Sequence, residues 1–179
     1  MNDSELLAYS EEHVLYEIAM FFRLGKLLLS KDRLPPTDIG RSVDNALVES
    51  FVIHFRNLFD FLYFKRSKKK DVLAEDFFDA PEAWRKLRPK LSSKVKNCKD
   101  RAAKEVVHVT EVRFYGTPKG KGWPVREMLD GLKTAVESFT GSASHNKLHG
   151  KVRDFVRNVD SLLASPRRFE FRIYAAAEH

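Results

Sequence analysis

The stretch DRAAKEVVHVT, Asp100 to Thr110, sets a guanidinium and an imidazole seven positions apart. On an ideal α-helix, seven steps turn about 700°, some 20° short of two full turns, and climb roughly 10 Å. Arg101 and His108 therefore share one face and can converge on one phosphate or on neighbouring atoms of one nucleotide. Lys104 and Glu105 lie between them on nearly the same side. Histidine titrates near neutrality, so His108 can take a proton from a ribose 2′-OH or give one to a departing 5′-oxygen. Arginine grips phosphate and stabilises the extra negative charge that develops on it. Attack by the 2′-OH on its own phosphate would break the P–O5′ bond and leave a 2′,3′-cyclic end, without a metal. One histidine does half of this acid–base work, and the second group would come from a partner chain. The surroundings suit a polyanion: Arg85 to Lys104 holds nine Lys or Arg and one acid, Asp100. Lys94, Lys104, Arg113, Lys119 and Lys121 are the expected phosphate contacts beside the pair.

Other constellations are weaker. His145 and His149 stand at i, i+4, the spacing of a metal pair, but no third ligand lies nearby, and no metal or other cofactor is expected. GTPKGKGW is glycine-rich but lacks the G-x4-G-K-[ST] order and follows a helix rather than a strand, so it is not read as a phosphate loop. Arg56, Asn57 and Asp60 form a polar cluster on an otherwise apolar helix. They are read as a satisfied cluster inside the bundle, Arg56 pairing with Asp60 four positions on. The other reading places Arg56 and Asn57 in the groove of Arg101, with Asp60 and Glu105 in support.

The elements that must position these residues are helical. Residues 3–31 read as a first helix capped by Asp3 or Ser4, with Leu6, Tyr9, His13, Val14, Tyr16, Glu17, Met20, Phe21, Leu24 and Leu28 among its broad inner stripe. RLPP at 33–36 breaks it. A second long helix runs from about Thr37 to Lys65, with Leu47, Phe51, Phe55, Leu58 and Leu62 at core spacing. FKRSKKK (64–70) ends it with five cations, and DVLAEDFFDAPE (71–82) follows with five acids that can neutralise them locally. Asp79 is placed to cap a short helix near Pro81. A helix over about 91–112 carries the Arg–His pair, RFYGTPKGKGWP (113–124) is a loop, and 124–139 and 144–164 read as two more helices. RRFEFRIY alternates like one strand, which must dock or pair to be stable. The expectation is an all-α bundle of five or six helices over residues 1–165, with two long N-terminal helices and a short extended C-terminal tail over 166–179.

Composition is consistent with this. Of 179 residues, 43% are hydrophobic, 32% are charged, and Gly (8) and Pro (7) are sparse. A net charge of +7 favours polyanionic partners, nucleic acid before acidic membrane. Cys98 is the single cysteine, which excludes an intrachain disulfide and a Cys-based zinc site and makes a reducing cytoplasm the default compartment. The N-terminus MNDSELLAYSEEH does not read as a signal peptide, and no run reaches the ~20 apolar residues of a membrane helix.

R-A-A-K-E-V-V-H resembles the R-x4–6-H motif of the HEPN superfamily, with Arg101 as its Arg and His108 as its His. The resemblance covers eight residues in motif and about 37–165 in architecture. It also extends to uncharacterised bacterial proteins with a long helix like ALVESFVIHFRNLFDFLY and a later K-E-V-V-H-V-T. It implies an all-α homodimer in which two motifs face each other, RNA as the ligand, and metal-independent endoribonuclease activity in a toxin–antitoxin or phage-defence setting. Active members usually carry a polar residue after the Arg, where this chain has Ala102. Ala102, the acidic 71–82 segment and the docking-type tail favour the alternative: a non-catalytic helical adaptor with a cognate partner protein.

Overall fold

The computed structural model describes residues 1–30, 36–64, 71–107 and 122–165, and every regular element among them is helical. In chain order these are α1 (Asp3–Tyr9), a π-helical turn (Ser10–Val14), α2 (Leu15–Ser30), α3 (Asp38–Tyr63), a 3-10 turn (Ala74–Phe77), α4 (Pro81–Leu87), α5 (Ser93–Ala102), a second π turn (Ala103–Val107), α6 (Val125–Ser142), α7 (Gly150–Arg157) and α8 (Val159–Ala164). The protein is an all-α bundle. No helix among the described residues is long and apolar enough to cross a membrane. His108, Arg113, Lys119, Lys121 and the tail from Pro166 onward lie outside the described residues.

The first helix departs from its simple periodic reading in two ways. Asn2, not Asp3 or Ser4, caps it: Asn2 Oδ1 accepts from the Glu5 amide at 2.9 Å, and Glu5 Oε2 accepts from the Asn2 amide at 2.8 Å. This reciprocal box satisfies two of the helix's orphan donors. Second, the π turn at Ser10–Val14 shifts the register of all that follows. Its anchor is Ser10, whose buried hydroxyl donates to the Leu7 carbonyl (2.8 Å) and accepts from the His149 amide (2.9 Å). A hydroxyl bonded back to i−3 competes with the helical ladder. Beyond the turn, Ile18, Phe21 and Phe22 are fully buried, whereas Tyr16 is 54% exposed.

α2 and α3 pack along the centre of the bundle. Phe21 stacks on Phe51 with ring centroids 5.1 Å apart, and Phe55 completes the group. α2 also approaches α6 closely at Gly25, where a Cβ would sit 2.6 Å from Leu129 Cδ2. One turn-step on, Lys26 is 4% exposed, and its Nζ donates to the Leu162 and Ser165 carbonyls at the end of α8. The ammonium thus answers both the unpaired carbonyls and the negative end of that helix.

A second aromatic group holds the 71–87 region against α3 and α6. Phe61, Phe77 and Phe139 meet edge to face, and Phe78 stacks on Trp84 at 5.7 Å. Trp84 Nε1 donates to the Leu62 carbonyl (2.8 Å), and the Arg88 guanidinium donates to the Tyr63 carbonyl (3.1 Å), closing the C-terminus of α3. Two of the acids of 71–82 find partners in the bundle: Glu75 accepts from Arg85 Nε (2.7 Å) and Asp79 pairs with Lys147 (3.2 Å); the cations of 65–70 lie outside the described residues. Asp79 therefore does not cap α4, whose cap residue is Ala80 with no side-chain bond, and Pro81 at the first turn starts the helix instead. The single helix expected over 144–164 is a turn followed by α7 and α8, broken at Asn158. His145 sits in that turn and His149 caps α7, so the two do not stack on one helix as a metal pair would.

Candidate functional site

α5 begins at Ser92, whose hydroxyl accepts from the Val95 amide at 3.3 Å. It buries Val95, Cys98 and Ala102 against the body and leaves Lys94, Lys96 and Asn97 outside. Ala102 is 1% exposed, so packing dictates a small apolar residue directly after Arg101. Burial also pushes the Cys98 thiol up, which keeps it neutral and unreactive.

Arg101 stands at the end of this helix with its side chain 25% exposed. Its Nε and Nη2 donate to the two oxygens of Glu105 at 2.9 and 2.8 Å, a two-point fork. Nη1 donates to the Gly122 carbonyl at 3.1 Å, and the guanidinium carbon lies 4.1 Å from the centroid of the Trp123 ring. The plane is therefore fixed by a carboxylate, a carbonyl and an indole face. Arg101, Trp123, Lys94, Asn97 and Cys98 line a groove of about 400 Å³. Lys94 reaches across it to Glu127 of α6, remaining 59% exposed, and Lys104 is exposed one turn beyond Arg101. Glu105, read from the sequence only as lying on the same side, pairs with Arg101 at i, i+4, whereas Trp123, twenty-two positions on, gives no signal in sequence.

The helical geometry around the motif differs from the ideal. Residues 103–107 are π-helical, and an i→i+5 turn takes one residue more than an α turn. The pitch of an unbroken α-helix therefore does not carry through residues 103–107, and His108 beyond them lies outside the described residues.

The polar cluster of α3 lies in a different recess. Arg56 Nε stands 3.7 Å from Asp60 Oδ2, as their spacing predicts. Asn57 turns away from Arg101 and donates to Glu17 Oε1 at 3.2 Å. The other oxygen of Glu17 accepts from His54 Nδ1 at 2.7 Å, and His54 is itself buried. Glu17, Asn57 and Asp60 line a cleft of about 590 Å³ with Tyr9, His13 and Asp71. Burial raises the Asp60 carboxyl above the usual aspartate range, against the opposing pull of Lys99 and Arg56. Burial, then the charge of Glu17, raises the Tyr9 phenol. The sequence does carry a trace of this cleft: Tyr9, His13 and Glu17 are polar residues spaced four apart within an inward stripe.

No protein-family model matches the chain, no curated protein matches it, and no solved structure matches it.

Proposed function

We propose that this chain is a cytoplasmic, homodimeric RNA-binding protein of the HEPN-like type, which meets its ligand along the outer face of α5. The observation that carries the reading is Arg101: a guanidinium held over an indole ring in the lining of a groove, flanked by the exposed Lys94, Lys96 and Lys104. Backbone phosphates would run along the lysines, and Arg101 would exchange its Glu105 fork for a phosphate of the same two-point geometry. Endoribonuclease activity is the stronger form of the proposal and adds His108 as the proton carrier.

Single-stranded RNA binding, followed by fluorescence anisotropy at 50 and 200 mM salt, tests the reading. Affinity should fall steeply with salt, and salt-insensitive or absent binding would reject it. RNA incubated with the native chain and with an Arg101→Ala/His108→Ala double variant tests cleavage. Fragments with 2′,3′-cyclic ends from the native chain alone support it, and equal degradation by both counts against it. Sedimentation at micromolar concentration tests the dimer.

The two-point fork with Glu105 favours a second reading, the non-catalytic adaptor. There Arg101 is a tie between α5 and the Gly122–Trp123 segment, and the chain acts through a protein partner. A stable protein complex together with weak RNA binding would favour it.

A further inference from the structure

Between α2 and α7 runs a groove of about 400 Å³ that belongs neither to the α5 face nor to the Glu17 cleft. Leu15, Ala19, Met20 and Phe155 line it with apolar surface, and the Tyr16 ring beside them is 54% exposed. We propose that this groove is the docking site of the chain's own C-terminal segment, residues 169–173, with Phe169, Phe171 and Ile173 against the apolar lining.

The point where the chain leaves the bundle is the first support. Ser165 is the last described residue, and its carbonyl accepts from Lys26 Nζ at 2.6 Å. Lys26 stands three residues beyond Arg23, which lines the groove and holds its guanidinium carbon 5.5 Å from the centroid of the Phe155 ring. Three residues of helix rise roughly 4.5 Å, so the chain departs within one turn of the groove's end on α2. From Ser165 to Phe169 is four steps, and extended chain covers up to about 14 Å in that count, enough to fold back onto α2. Length is the second support. Leu15 to Arg23 is eight residues of α2, roughly 12 Å at a helical rise. Phe169 to Ile173 is four steps, roughly 13 Å when extended, and alternate residues of an extended segment share one side. The three apolar side chains thus form a row that matches the groove, and such a row is stable only where it is covered. The third support is the order of charge. Glu11 and Lys151 on the rim are bonded to each other at 2.6 Å, so Glu12 and Arg23 set the polarity of the groove. A segment folding back from Lys26 runs antiparallel to α2, which brings Glu170 nearer Arg23 and Arg172 nearer Glu12. The opposite direction would set like charges together.

A nitroxide attached to the full chain at Arg172→Cys tests the proposal, because it broadens only nuclei near it. Cys98, 4% exposed, is shielded from the label. Methyl resonances of Leu15, Ala19 and Met20 should lose more than half of their intensity, and those of Ala102 and Val106 should keep theirs. Phe171→Asp and Met20→Asp should each restore the lost intensity with the helical circular dichroism retained. Phe171 lies beyond the bundle, so its variant decides the matter if Met20→Asp fails to fold. Mixing the nitroxide-bearing chain with an isotope-enriched chain that carries no nitroxide should leave the enriched methyls unchanged. Broadening in that mixture would assign the groove to the segment of a second copy and overturn the proposal. So would broadening centred on Leu28, Val48 and Val125, no broadening on α2, or indifference to Phe171→Asp.

Discussion

α5 packs on α3 and α3 walls part of the Glu17 cleft, yet the α5 groove and the cleft use charge in opposite ways. In the groove, the cations are at the surface and the guanidinium of Arg101 is already matched by Glu105. In the cleft, Glu17 is held by His54 and Asn57, and Asp60 pairs with Arg56 through Oδ2 while its sealed Oδ1 has no hydrogen bond. The groove is open and extended, which suits a polymer whose charge repeats. The cleft is concave, with Val14, Leu58, Phe61 and Leu73 among its apolar walls. A chain can be strongly basic overall and still hold a local site of the other sign, because a carboxylate responds chiefly to the groups within a few ångströms rather than to net charge.

The largest effect should come from stripping the groove. Lys94→Gln, Lys96→Gln and Lys104→Gln together should lower the slope of log affinity against log salt for single-stranded RNA by about 2, roughly 0.7 per lost phosphate contact. Urea unfolding midpoints should stay unchanged, which separates lost phosphate contacts from a lost fold. Next in size is a change belonging to neither site. Lys26→Met leaves the carbonyls of Leu162 and Ser165 without their buried donor and should lower stability by about 1–3 kcal/mol in urea unfolding, with RNA affinity unaltered. Glu105→Gln should release Arg101 and raise RNA affinity about threefold, on the scale of a single charged contact. Unchanged RNA affinity there would favour the structural tie over the phosphate ligand. The smallest effect is a pH dependence in the cleft. Asp60 is raised in the fold, so the folded state holds its proton more tightly than the unfolded chain. Its contribution is fully present below the ordinary aspartate range and is lost as pH rises through the higher folded value. Unfolding midpoints of the native chain and Asp60→Asn across that window should converge at its acid end and separate at its neutral end, with the variant the more stable there.

How legible these regions were follows from where their determinants lie. α3 was readable almost residue for residue, 38–63 against an expected 37–65, because its signals are local: Thr37 at the cap, unbroken apolar spacing, and a basic run after it. The Arg101–Glu105 fork was equally open to inspection, since four residues apart on a helix is a contact. The π turns were not. The one at Ser10 depends on a hydrogen bond to an amide 139 positions away. The cleft was only half visible, because its wall joins residues from the first helix, from α3 and from 71–73, and no window of sequence contains all three. The Trp123 platform was hidden for the same reason: it stands twenty-two positions from Arg101, beyond the reach of any helical spacing.

Ser10 ties the first helical pair to the last with a single oxygen. Remove that atom, as in Ser10→Ala, and the main chain is free to rewind to ordinary pitch. Absorbing one surplus residue would swing everything before it by about 100°. Tyr9 would then leave the wall it helps to build, and the hydrophobic stripe of α1 would face water. One hydroxyl thus acts as the index mark that sets how the N-terminal turn is dialled against the rest of the bundle.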